Sequence, residues 1–186
     1  MDKTEEAVWY AMRATYRREL YVKQLLDKKS IGNFIPMRYE IRTVRNRKIR
    51  ELVPAVRNLL FVHATSSEIK EAKEKIPYLQ YITDSREKQK IIVPNDQMRS
   101  FIAVSGTYND QLLYFQPGEV NLTKGTKVRI TGGELEGQEG IFVKVKGARD
   151  RRVVIAIQGV IAVAMATIHP DLIEVIPEEK RKNSIL

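Results

Sequence analysis

The stretch GTKVRITGGELEGQEGIFVKV, residues 125–145, carries five of the chain's ten glycines. Glycines at this density either let a backbone approach a phosphate or let a chain turn sharply between strands. A dinucleotide fingerprint needs G-x-G-x-x-G between a strand and a helix, and a nucleotide P-loop ends in G-K-[ST]. Neither spacing occurs here. The residues after Gly140, IFVKV, read as a strand, so no helix N-terminus supplies a positive dipole, and Glu134, Glu136 and Glu139 would repel a phosphate. The turning role is the better reading: Gly132, Gly133 and Gly137 permit positive φ in a tight connection, and Gly140 permits close packing at a bend. Around this loop lie short strand candidates at 127–130, 140–146, 152–157, 160–166 and 172–176. That spacing predicts a small all-β five-stranded barrel.

The first hundred residues have another rhythm. Val8–Ala14 is rich in β-formers, and Leu20, Tyr21, Val22, Leu25 and Leu26 follow helical spacing from a cap at Thr15 to a stop at Gly32-Asn33. RYEIRTVRNRKIRELVP alternates as a hairpin turning near Asn46, and Leu59–His63 is apolar throughout, as in a central strand. Thr65 and Glu68 have capping-box spacing before a second helix. Pro94-Asn95-Asp96 opens a third, whose apolar face holds Met98, Phe101 and Ile102. Strands are also expected at 79–83 and 91–93. The pattern predicts an α+β N-terminal domain over 5–104, an antiparallel sheet flanked by helices. A linker at 105–122 follows, then the barrel at 123–177 and a charged tail at 178–186. Leu112, Leu113, Tyr114 and Phe115 are too apolar for a free tether and are expected to pack against a domain.

Charge separates the two halves. Residues 1–104 carry 21 Lys/Arg and 13 Asp/Glu, net +8, whereas residues 105–186 carry 11 and 10, net +1. A basic excess is the electrostatic footprint of nucleic-acid binding and equally that of a solvated surface. The run 38–50 holds Arg38, Arg42, Arg45, Arg47, Lys48 and Arg50 against Glu40 alone. On a hairpin it forms either a ribbon along a phosphate backbone or an edge kept soluble by charge. Arg17 and Arg18, in the first turn of the expected helix, oppose its dipole, a cost that hints at a use. With no cysteine, disulfides and thiolate metal sites are excluded. His63 and His169 are far apart and lack metal-ligand spacing, and no G-x-S-x-G elbow occurs. An enzyme is therefore not expected, nor a cofactor or metal. The charged N-terminus and the absence of an ~18-residue apolar run predict a cytoplasmic protein with no membrane span.

Two resemblances then join. Gly125, Val128, Ile130, Gly133, Leu135, Gly137, Gly140 and Phe142 occupy the positions of a KOW motif. WYAMR (9–13), FIPM (34–37) and PAVRNLLFV (54–62) resemble the N-terminal domain of the NusG family. Asn58 stands in a slot usually filled by glycine, and Asn tolerates the left-handed region better than other residues with a side chain. That asparagine, and VIAVAMAT at 160–167 in place of the usual barrel end, are similar to a specialised paralogue such as RfaH or a capsule-operon antiterminator. The resemblance implies a monomeric elongation or antitermination factor, directed to particular, polysaccharide-type operons. It implies that Arg13, Val56, Leu59, Phe61 and Tyr81 grip the β′ clamp helices of RNA polymerase, unless these apolar residues only fill the core. It further implies that Arg17, Arg18, Arg42, Arg45, Arg47 and Lys48 face upstream or non-template DNA. Leu135 and Phe142 would then meet the ribosomal protein NusE or Rho. A KOW protein that binds RNA or the ribosome is the alternative.

Overall fold

The computed structural model describes residues 5–157, 159–165 and 168–177. The expected tail at 178–186 lies outside them, as do Ala166, the last residue of the expected fourth barrel strand, and Thr167 after it. In chain order the elements are β1 (Val8–Ala14), α1 (Glu19–Lys28), β2 (Gly32–Phe34), β3 (Met37–Val44), β4 (Arg47–Pro54), β5 (Leu59–Ala64), α2 (Ser66–Lys75), β6 (Leu79–Tyr81), β7 (Ile92–Val93) and α3 (Asn95–Ser105). They continue with β8 (Leu113–Phe115), β9 (Thr126–Ile130), β10 (Glu139–Lys144), β11 (Arg151–Ile157), β12 (Ile161–Ala164) and β13 (Ile173–Val175).

The first sheet runs β2-β5-β1-β6, with β7 also paired to β1; the second runs β13-β9-β10-β11-β12-β8; β3 and β4 stand apart as a two-stranded hairpin. Every pairing among these strands is antiparallel. The hairpin turns on Arg45 and Asn46, at φ 46° and 62°. Two consecutive left-handed residues match the twist of a two-residue hairpin loop. The capping box forms as its spacing predicts: Glu68 N–H donates to the Thr65 hydroxyl at 3.3 Å, and Thr65 N–H donates to Glu68 Oε2 at 2.8 Å.

Strand alternation divides the first sheet's apolar residues between two faces. Tyr10, Met12, Leu60 and Val62 pack with Val22 and Leu26 of α1 and with Ile69 and Ala72 of α2. Ala11, Leu59 and Phe61 join Met98, Phe101 and Val104 of α3, and the same cluster continues through Val128, Ile130, Val153, Ile155, Ile157, Ile161 and Val163 of the second sheet. Both faces of β5 are thus buried, which is why LLFVH reads as an unbroken apolar run.

Two expectations change. The first helix does not begin at Thr15: Thr15–Arg17 is a 3-10 turn, and α1 starts at Glu19 with Arg18 as its N-cap. Tertiary partners take the amides that a helix would use, since Thr15 N–H donates to the Tyr78 carbonyl at 2.9 Å and Arg17 N–H donates to Asn58 Oδ1 at 2.8 Å. The residue in the first turn is therefore Glu19, whose charge suits the dipole. The second change lies in the segment 105–122. Leu113–Phe115 pairs with β12, and Phe115 packs with Val143, Val145 and Val154 on the second sheet's other face. The apolar run there is bound, as its composition suggested.

Candidate functional site

Four neighbourhoods hold the residues singled out by sequence. The first is the β1–β5 face. Register sets Arg13 opposite Leu59 and Ala11 opposite Phe61. Phe61 is fully buried and packs edge-on to Phe101 at 5.6 Å between ring centroids; Leu59 is buried beside it. Arg13 stays exposed at the rim. With half-buried Val56, it lines a cleft of about 270 Å³ whose far wall is Pro117, Gly159 and Val160. Tyr81 is not with them: it pairs with Met12, so it lies on the face that α1 and α2 cover, and the Lys73 ammonium sits 3.9 Å from its ring. Partial burial raises the Tyr81 pKa.

The second neighbourhood is the β3–β4 hairpin. Arg38 pairs with Glu40, and Arg42 with Glu51 at 3.1 Å. Arg50 donates to both carboxylate oxygens of Asp110 at 3.0 Å and lies 3.9 Å over the Tyr39 ring, which ties the hairpin to the segment after α3. Arg45, Arg47 and Lys48 make no ion pair among the described residues and crowd the exposed tip. Ile41 and Ile49 are exposed between the cations, Ile41 at 71%.

The third is the turn before α1. Tyr16 and Arg17 both have positive φ, 61° and 56°. Two consecutive side-chain-bearing residues in the left-handed region cost about 1–2 kcal/mol each, so the surroundings must hold them. Asn58 does so, itself at φ 63° in the usual glycine slot. Its side chain accepts from Arg17 N–H, its carbonyl accepts from Ala14 N–H at 2.8 Å, and its own N–H donates to Glu19 Oε1 at 2.7 Å. Glu19 is buried, and its Oε2 has no hydrogen-bond partner. Sequence pointed to Asn58 but not to Tyr16, because nothing in a tyrosine before two arginines marks a left-handed turn.

The fourth is the glycine loop. Gly133 and Gly137 adopt φ 85° and 83°, and Gly137 N–H donates to the Ile130 carbonyl at 2.8 Å. Gly132 is not in the left-handed region; there the expectation fails. A Cβ on Gly140 would lie 2.7 Å from the Val154 carbonyl oxygen, and one on Gly125 would lie 2.2 Å from Ile141 Cγ2, so both permit close strand packing. Leu135 and Phe142 are half-buried and pack against the large apolar cluster that also holds Phe61. At the loop's edge Arg129 donates to Glu139 at 2.6 Å, and that bond holds the Glu139 carboxyl below its usual range.

Among the described residues no three His, Asp or Glu side chains gather to hold a metal, and no helix is long and apolar enough to cross a membrane. His63 lies against Trp9, ring centroids 4.9 Å apart, and His169 is exposed beside Asp171.

No curated protein matches this chain. A solved structure titled "Domain interaction in Thermotoga maritima NusG" is similar at 21% identity, covering 92% of this chain and 98% of that one, with a TM-score of 0.49. The family model described as transcription termination factor NusG matches residues 7–102, which run from the start of β1 into α3. That span is more than half of the 186 residues, and the chain belongs to the NusG family.

Proposed function

We propose that this protein is a transcription elongation factor that binds RNA polymerase through the β1–β5 face and promotes processive elongation or antitermination of particular operons. The family match over residues 7–102 carries this reading. The +8 charge of residues 1–104 supports a nucleic-acid contact on the same half, through Arg17, Arg18, Arg42, Arg45, Arg47 and Lys48. Arg13, Val56, Leu59 and Phe61 form the polymerase grip; Tyr81 acts only from behind, because it faces α2. Leu59 and Phe61 share one apolar cluster with the second sheet. Polymerase therefore reaches them only when that sheet moves aside and α3 gives way over Phe61. The freed sheet, folded as a KOW barrel, then offers Leu135 and Phe142 to a protein such as NusE or Rho.

The test is pull-down of core RNA polymerase, followed by read-through of a terminator in vitro. The full chain is expected to bind and to raise read-through. Ile155→Asp, which puts a charge into the contact of the second sheet, is expected to bind more tightly because it favours the open form. Failure of both proteins to bind polymerase, under conditions in which another NusG-family protein binds, overturns the reading.

A further inference from the structure

Between α1 and the β3–β4 hairpin runs a cleft of about 400 Å³. That is the size of a small-molecule site, roughly 300–1,000 Å³. Tyr16, in the turn before α1, is 81% exposed, so this side of the molecule is open to solvent. The cleft's walls combine two chemistries. Leu20, in the first turn of α1, is 45% exposed, and with half-buried Val53 and Pro54 of β4 it supplies an apolar wall. Arg17, Arg38, Arg42 and Arg57 reach the same space from the turn, from β3 and from the loop after β4. Arg17 and Arg57 make no ion pair among the described residues. Arg38 and Arg42 pair with Glu40 and Glu51 at the surface, and exposed pairs of this kind are weak enough for an anion to displace. Glu19 lines the cleft as well. It is 3% exposed, and its Oε2 is a buried acceptor with no hydrogen-bond partner. An acceptor left unpaired in this way costs free energy that a ligand N–H recovers.

We propose that this cleft binds a free purine nucleoside polyphosphate. The phosphates lie on Arg17, Arg38, Arg42 and Arg57, the base lies against Leu20, Val53 and Pro54, and an N–H of the base edge meets Glu19 Oε2. Charge density favours a free nucleotide over a strand. A strand spreads about one negative charge per nucleotide along its length, whereas a polyphosphate brings several into one pocket, as four convergent guanidiniums require. Each guanidinium is planar and donates two parallel N–H bonds to a phosphate. The apolar wall and the Glu19 acceptor have no use for an inorganic polyphosphate, and both suit a purine. The site stands without the polymerase reading. One consequence rests on the nucleic-acid contact proposed above: Arg17 and Arg42 serve both ligands, so nucleotide and DNA exclude one another.

Isothermal titration calorimetry of the full chain with GTP, ATP, GMP and inorganic tripolyphosphate tests it. One GTP or ATP is expected per chain, and the tighter of the two identifies the base. GMP and tripolyphosphate are each expected to bind about tenfold more weakly, the first for want of charge and the second for want of a base. Arg57→Gln is expected to weaken GTP and tripolyphosphate alike, about tenfold. Leu20→Ser is expected to weaken GTP several-fold and to leave tripolyphosphate unchanged. Both side chains are exposed, so both variants should melt at the wild-type temperature. If tripolyphosphate binds as tightly as GTP, or Leu20→Ser leaves GTP affinity unchanged, the cleft is a plain basic surface and the proposal is overturned. A labelled twelve-nucleotide DNA strand, followed by anisotropy, should be displaced by GTP; DNA that stays bound while GTP binds removes the competition. If the strand binds and no nucleotide does, the nucleotide site falls and the nucleic-acid contact stands. If neither binds, both fall.

Discussion

The two faces of the first sheet are equally apolar and are covered in different ways. One is closed by α1 and α2, which lie within the same eighty residues as the strands they cover. The other is closed by α3 and by a sheet whose main strands begin at Thr126. Neighbours along the chain make the first cover inseparable from folding. The second combines α3 with a sheet that the chain supplies only after a connector.

The largest expected effects test that contrast directly. Phe61→Ala should destabilise the chain by about 3–5 kcal/mol and Leu60→Ala by about 2–5 kcal/mol, since each empties a fully buried site. Small-angle scattering separates them. Phe61→Ala should also raise the radius of gyration of the folded chain as the second sheet loosens, whereas Leu60→Ala should not. Equal radii would abolish the distinction between the faces. Gly140→Ala comes next, at about 1–3 kcal/mol, because its Cβ meets the Val154 carbonyl. Hydrogen exchange should quicken in residues 126–157 and not in β5. Faster exchange in β5 as well would mean that the two sheets unfold as one unit. The smallest is Thr65→Ala, about 1 kcal/mol from the lost α2 cap, read by urea unfolding.

That last variant also carries a pH signature. Hydrogen bonds from the Thr65 backbone and hydroxyl hold the Glu68 carboxyl below the usual glutamate range. A depressed folded-state pKa stabilises above the ordinary carboxylate value, and the contribution disappears as pH falls through the folded value. Thr65→Ala removes the hydroxyl bond and keeps the backbone one, so it should shallow the acid limb of the stability curve in part while leaving the slope near pH 7 unchanged.

Much of this was legible residue by residue. The capping box at Thr65, the turn at Asn46, the unbroken apolar β5 and the glycine loop each rest on local chemistry, and each formed. Asn58 was legible as a left-handed residue for the same reason. The beginning of α1 was not: Thr15 carries a helix-capping side chain, but the Tyr78 carbonyl and Asn58, more than forty residues away, bind the amides first. Tyr81 was placed with Leu59 and Phe61 by resemblance, and register sets it on the opposite face.

The sequence by itself determined which residues turn, cap and alternate, and so which side chains of each strand share a face. Tertiary structure alone decided what covers each face: that α3 and the second sheet close over Leu59 and Phe61, that Leu113–Phe115 joins that sheet, and that Tyr16 is lifted into solvent. The physical reason is that propensity and periodicity act over a few residues, whereas the burial of an apolar face is satisfied by any complementary surface that the chain can bring to it.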